Sequence, residues 1–99
     1  MAQFDVLVVR NTGEKVVDCQ SDLLRHLPTR VVIPLFDPDD TLAPSSRLNP
    51  KFTVEGKQLI LAPQFLVSIP VAELTLSGFS LSAHDFAIID ALDTLVSGV

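Results

Sequence analysis

The sequence lacks tryptophan and tyrosine, and it contains only one cysteine, two histidines and four glycines. Because the lone Cys19 cannot form an intramolecular disulfide, a reducing compartment is favoured. Neither His26 nor His84 has cysteine or acidic partners at a recurring metal-ligand spacing, and no glycine-rich phosphate loop or nucleophile elbow occurs. These absences predict a protein that is not an enzyme and that holds neither a metal nor a cofactor.

Long hydrophobic runs are also lacking. Residues 59–76 are mostly apolar, but two prolines and polar residues such as Gln64 interrupt them, so they are not expected to span a bilayer. The first residues have neither the basic start nor the apolar stretch of a secretion signal, which predicts a cytoplasmic protein. With 47% hydrophobic residues, the 99 residues suffice for a single domain, residues 1–99, with some apolar surface left for a partner.

Basic residues are absent from the C-terminal part of the chain. All seven lysines and arginines precede Gln58, whereas Glu73, Asp85, Asp90 and Asp93 follow it. An acidic segment repels phosphate, and only six phenylalanines are available for stacking on bases. Direct binding of nucleic acid is therefore not expected.

Short runs rich in β-branched residues, separated by turn formers, predict a curled antiparallel sheet of about five strands. Turns at residues 11–14 and at Glu55-Gly56 are expected to close two hairpins. Pro34 indicates a sheet edge or a bulge for its strand, and Pro28 is expected to end a brief helical turn that begins at Ser21. The strand-like segments are residues 4–10, 15–19, 30–35, 52–54, 57–62 and 64–71.

Residues 36–50 are dense in turn formers, which predicts a long exposed loop. Asp37, Asp39 and Asp40 resemble the start of a calcium loop, but the glycine and the distal glutamate of that motif are missing. A solvated acidic loop is the better interpretation. Cys19 has no adjacent histidine or lysine, so it is interpreted as a small core or interface residue rather than a nucleophile.

The end of the chain changes to a helical period. Apolar residues recur at Ile88, Leu92, Leu95 or Val96, and Val99, as expected for an amphipathic helix. Residues 82–85 (SAHD) fit a capping box at its start, and Gly98 is expected to end it.

Six segments, taken in order, resemble the CcdB family of plasmid and chromosomal toxins across almost the whole chain. They are Gln3-Phe4 (Gln-Phe in the family), VDCQSD at 17–22 (Val-Asp-Val-Gln-Ser-Asp), RVVIPL at 30–35 (Arg-Met-Val-Ile-Pro-Leu), LNP at 48–50 (Leu-Tyr-Pro), SIPV at 68–71 (Ser-Val-Pro-Val) and Gly98-Val99 (Gly-Ile).

The resemblance implies a small SH3-like antiparallel barrel with a small wing sheet, one C-terminal helix, and a homodimer formed beside that helix. It also implies a toxin that binds the A subunit of DNA gyrase, traps gyrase on cleaved DNA, and is neutralised by a CcdA-like antitoxin. The gyrase-binding residues that it implies are Ser21, Leu23, Leu24, Asp93, Ser97, Gly98 and Val99.

Two of these positions depart from the plasmid toxin of the family, in which a tryptophan precedes the terminal Gly-Ile and an asparagine stands at the position of Asp93. Losing a large aromatic anchor such as the one replaced by Ser97 costs on the order of 2 kcal/mol or more at an interface. A gyrase of different shape, a different target and a loss of potency are all compatible with these changes.

Two other functions are compatible with the same fold. MazF and Kid toxins share it and cut mRNA, for which Arg10, Arg25 and Arg30 would supply positive charge around the scissile phosphate. The second is a non-toxic paralogue that only binds the antitoxin.

Overall fold

The computed structural model describes residues 1–38 and 47–98, and over this part of the chain the protein is mainly β with one C-terminal helix, as predicted. The strands are β1 (Asp5–Val9), β2 (Lys15–Asp18), β3 (Thr29–Phe36), β4 (Lys51–Val54), β5 (Lys57–Leu61), β6 (Val67–Pro70) and β7 (Leu74–Ser80). The helix α1 spans Asp85–Ser97, and 3-10 turns lie at Asp22–Leu24, Pro63–Phe65, Val71–Glu73 and Ser82–His84.

The seven strands form one antiparallel sheet, which curls into a half-open barrel: six of them follow the order β4-β5-β3-β2-β1-β7, and β6 pairs with β3 beside this path. Strand β3 is its branch point, because residues 29–32 pair with β6 and residues 35–36 pair with β5. The β4–β5 hairpin pairs with the end of β3 and forms a small wing of the sheet, as the family resemblance implies.

Both predicted hairpins are confirmed. The β1–β2 turn is closed by the N–H groups of Thr12 and Gly13, which donate to the carbonyl of Val9. In the β4–β5 turn, Glu55 and Gly56 both have positive φ (52° and 80°), the geometry of a two-residue type I′ turn whose twist matches the flanking strands.

The structure differs from the predicted strands at two places. Pro34 does not lie at a sheet edge: its strand β3 is central, and Pro34 pairs with Val16 of β2. On the opposite side of β3 the partner changes from β6 at Val32 to β5 at Leu35, so Pro34, which has no N–H, stands where the ladder is interrupted. Strand β7 was not predicted, because Gly78 and two serines weaken its strand signal, yet it pairs along the whole of β1.

The apolar side chains form two clusters on opposite faces of the sheet, since successive residues of a strand point to opposite sides. The main core packs side chains such as Val6, Val17 and Ile33 against Ile88 and Ala91 of α1. The second cluster, on the other face, consists of Leu7, Val16, Val32 and Leu74.

Helix α1 begins differently from the prediction. Ser82 lies in the preceding 3-10 turn, the N-cap of α1 is His84, and no side chain caps it. The hydroxyl of Ser80 accepts from the N–H of Ser82 instead, so the predicted capping box is wrong. The predicted stop at Gly98 is confirmed, since Gly98 has φ 70° and its N–H donates to the carbonyl of Thr94.

The buried face of α1 is centred on Ile88 and Ala91, with Leu92 and Leu95 half-buried. Val96, an alternative in the predicted apolar stripe, is 83% exposed on the outer face. Val99 lies outside the described residues. No helix in the described part of the chain has the length and apolar character needed to cross a bilayer.

Candidate functional site

The residues from Ser21 to Leu24 form an exposed 3-10 turn between β2 and β3. The hydroxyl of Ser21 accepts from the N–H of Leu23, and the Ser21 carbonyl accepts from the N–H of Leu24. With its backbone bonded in this way, the turn points two apolar side chains outwards: Leu23 is 87% exposed and Leu24 is also exposed. The fold gains almost nothing from Leu23, which marks the turn as a candidate binding element.

The N-terminal segment holds this turn from one side. The N–H of Gln3 donates to Asp22 Oδ1 at 2.9 Å, and the N–H of Phe4 donates to the carbonyl of Asp18 at 2.6 Å. Phe4 adopts a φ of 72°, a left-handed conformation that costs about 1–3 kcal/mol for a residue with a side chain. This strain is maintained where the N-terminus meets the candidate site.

The end of α1 is the second group of predicted residues. Gly98 forms the left-handed cap, and the hydroxyl of Ser97 donates to the carbonyl of Asp93 at 2.7 Å. Ser97, Asp93 and Val96 are all exposed. Val99 belongs to the predicted site as well, but it lies outside the described residues.

The two groups border the same core. Cys19, which precedes the turn, and Leu92, near the end of α1, both pack against the main core. No hydrogen bond or ion pair among the described residues joins the turn to the helix end. The structure thus places Ser21, Leu23 and Leu24 together, and Asp93, Ser97 and Gly98 together, as two separate exposed groups.

A buried ion pair lies directly beneath the turn. Arg30 Nη1 is 3.5 Å from Asp18 Oδ2, with the Asp18 side chain fully buried and Arg30 only 5% exposed. Burial raises the pKa of the Asp18 carboxyl above 3.8, even though the N–H of Gln20 and the charge of Arg30 both favour its ionised form. Burial also raises the pKa of the Cys19 thiol to about 11, and that thiol donates to the carbonyl of Val31.

The same burial bears on RNA cleavage. Arg30, one of three arginines considered as phosphate ligands, is enclosed with Asp18 and does not face solvent, whereas Arg10 and Arg25 are exposed.

His84 packs against Phe52, with the ring centroids 5.2 Å apart. Over the described residues, no cluster of three or more His, Cys, Asp or Glu side chains could hold a metal ion. Asp37 bonds to Lys57 at 2.7 Å, while Asp39 and Asp40 lie outside the described residues.

Sequence reasoning missed an apolar stripe on the outer face of α1. Phe86 is 82% exposed, and Ile89 and Val96 are exposed on the same side, opposite Ile88 and Ala91. Their spacing of three and seven residues is the signal that could have identified it. Asp93 lies in the middle of this stripe and Asp90 beside it, where Asp90 bonds to Arg47 at 3.3 Å.

In the comparison with protein-family models, the model of the family described as CcdB protein matches residues 3–98. No curated protein sequence matches the chain.

Proposed function

The chain belongs to the CcdB family, the toxins of toxin-antitoxin systems, and from this premise we propose that it is a dimeric cytoplasmic toxin that binds the A subunit of DNA gyrase. It acts by trapping gyrase on cleaved DNA, and a CcdA-like antitoxin neutralises it. The toxin acts on gyrase by binding alone and catalyses no reaction of its own.

The observation that carries this proposal is the exposed Leu23 on a turn whose backbone is fixed by hydrogen bonds. Leu23 and its neighbour Leu24 are both exposed, so they add little to folding and together offer apolar area that a partner would bury. Ser21, Leu23 and Leu24 form one contact with gyrase, and Asp93, Ser97, Gly98 and Val99 form the other.

The charge distribution favours a contact with protein over a contact with DNA. Helix α1 contains Asp85, Asp90 and Asp93 and no lysine or arginine, so its exposed face repels a phosphate backbone. The enclosed Arg30 also removes one of the three cations that RNA cleavage would need. A binding toxin is therefore the better supported function on this fold.

The proposal is tested by a gyrase cleavage-complex assay with the purified protein and with Gly98→Arg. We expect the wild-type protein to trap cleaved DNA and Gly98→Arg to lose this activity, because a long cationic side chain then stands at the helix end. Gly13→Arg is the matched control: Gly13 also has positive φ and open space around its Cα, but it lies at the β1–β2 turn, outside both contact groups.

Ser97→Trp is measured in the same assay, because it restores the aromatic side chain of the family. The proposal is supported if the wild-type protein traps cleaved DNA, Gly98→Arg abolishes this trapping and Gly13→Arg retains it. Absence of trapping by the wild-type protein overturns gyrase poisoning, and a gain of trapping in Ser97→Trp then shows that the missing aromatic anchor is the reason.

A further inference from the structure

The ladder between β2 and β3 ends in an unusual way just before the candidate turn. Regular pairing stops at Asp18 and Val32, and the N–H of Cys19 still donates to the carbonyl of Val31 at 3.0 Å. The N–H of Val31 donates to a side chain instead of a backbone carbonyl: its acceptor is Oε1 of Gln20, at 3.1 Å. The side chain of Gln20 thus takes the place of the next residue of β2.

The other end of the same amide reaches the turn. Gln20 Nε2 donates to the carbonyl of Leu24 at 2.9 Å, which is the last residue of the 3-10 turn. The backbone N–H of Gln20 donates to Asp18 Oδ1 at 3.0 Å, and Asp18 is in turn paired with Arg30. Gln20 is only 6% exposed, so one buried amide joins β3 to the turn.

A turn of this kind needs such a support. Three residues of 3-10 helix are too few to be stable alone. Without a support, Leu23 and Leu24 would sample several exposed arrangements, and a partner would then have to order them. A turn already fixed in its binding shape avoids that loss of affinity.

Few side chains have the chemistry that this position uses. The two contacts require one acceptor and one donor at the end of a side chain long enough to reach both Val31 and Leu24. Glutamate lacks the donor at neutral pH and would add a negative charge beside Asp18, while methionine has similar length and offers neither group.

We propose that Gln20 is a positioning residue, which holds the turn of Ser21, Leu23 and Leu24 in the shape that binds the partner by bridging the Val31 N–H and the Leu24 carbonyl. Its effect on partner affinity rests on the proposed function, whereas its effect on the turn does not.

The first test is backbone amide hydrogen exchange, measured by NMR on the full chain, in Gln20→Met. We expect the protection of the Val31, Leu24 and Arg25 amides to fall by about tenfold or more, which corresponds to the loss of a buried hydrogen bond. Core amides such as Ile33 report the change in global stability. Asn49→Leu is the matched control, since Asn49 is another buried amide that donates to a backbone carbonyl, that of Leu61, away from the turn.

Loss of protection at Leu24 and Arg25 beyond that of Ile33 in Gln20→Met, and not in Asn49→Leu, supports the proposal. Unchanged protection at these two amides overturns it. The second test is the affinity of both variants for a gyrase A fragment, where Gln20→Met is expected to bind about tenfold more weakly and Asn49→Leu like wild type. Loss of turn protection with unchanged gyrase affinity also overturns the positioning role.

The two proposals fail in different ways. If the wild-type protein does not bind gyrase, the proposed function fails, while the exchange experiment still decides whether Gln20 holds the turn.

Discussion

At the scale of single residues, the pair of Asp18 and Arg30 shows how burial changes the value of a charge. Among the described residues, Asp18 Oδ2 and Arg30 Nε and Nη1 have no hydrogen-bond partner, so the 3.5 Å contact between the two side chains and the hydrogen bond from the Gln20 N–H to Asp18 Oδ1 are what compensates for taking two charges out of water. The intact pair therefore adds little net stability, but removal of either member destabilises the protein because the other charge stays buried.

We expect Arg30→Met to lower the free energy of unfolding by about 3–5 kcal/mol, because it leaves the Asp18 carboxylate buried without a cation. The double variant Asp18→Leu/Arg30→Met should recover most of this loss. Urea denaturation of the single and double variants measures both. The control is Lys57→Met: its ion pair with Asp37 is shorter, at 2.7 Å, but exposed, so its loss should cost about 1 kcal/mol or less. A double variant no more stable than Arg30→Met would contradict this account.

Cys19 gives a prediction that depends on pH. The raised pKa, about 11 against 9.0 for a free thiol, means that the folded protein holds the thiol protonated well above neutral pH. Since only the thiolate attacks alkylating reagents, a shift of this size lowers the reactive fraction about a hundredfold at pH 8. Iodoacetamide labelling followed by mass spectrometry should be about a hundredfold slower in the native protein than in urea. Equal rates would show that the thiol is neither buried nor bonded to Val31.

At the scale of elements, the strands that could be predicted are those with strong local signals. Local sequence is enough to identify the β-branched runs of β1, β2 and β3 and the Glu55-Gly56 turn, because alternation and turn chemistry involve neighbouring residues. Strand β7 could not be predicted in the same way: Gly78 and its serines are poor strand formers, and β7 exists because β1, far away in sequence, provides its partner.

The same distinction between local signals and long-range contacts applies to the candidate site. Ser21, Leu23 and Leu24 were predicted from the family resemblance, and the structure shows that they form an exposed turn. The support by Gln20 could not be predicted, because its amide contacts Val31, eleven residues away along the chain. The stripe of Phe86, Ile89 and Val96 could have been identified from the sequence, since its spacing is helical, but the predicted buried stripe left Leu95 and Val96 as alternatives.

The start of α1 provides a prediction at this scale. Because Ser80 rather than Ser82 accepts a backbone N–H at the 3-10 turn before the helix, Ser80→Ala should lower the free energy of unfolding by about 0.5–1 kcal/mol. Ser82→Ala, the matched control, should change it by less than about 0.5 kcal/mol, as for an exposed residue without such a role. Thermal or urea unfolding of both variants measures the difference, and a larger effect of Ser82→Ala would restore the capping box.

At the scale of the whole molecule, the distribution of exposed apolar side chains argues for association. Phe86, Ile89 and Val96 lie on one face of α1, a pattern that in proteins of this size indicates an interface. The proposed dimer beside this helix would cover them. The second group of predicted gyrase contacts lies at the end of the same helix, so a dimer would bring two copies of that group near each other.

Sedimentation equilibrium on the wild-type protein should therefore give a dimer at micromolar concentration. Phe86→Lys and Val96→Lys should each raise the dimer dissociation constant by about tenfold or more, because each places a hydrated charge in an apolar contact. Leu76→Lys is the matched control, since Leu76 is also an exposed apolar residue, 60% exposed, but it belongs to β7 and not to α1. Circular dichroism of the variants shows whether the fold is kept. A monomeric wild-type protein would contradict the proposed dimer, and a dimer that only Leu76→Lys disrupts would place the interface elsewhere; either result leaves the α1 stripe free for gyrase or the antitoxin.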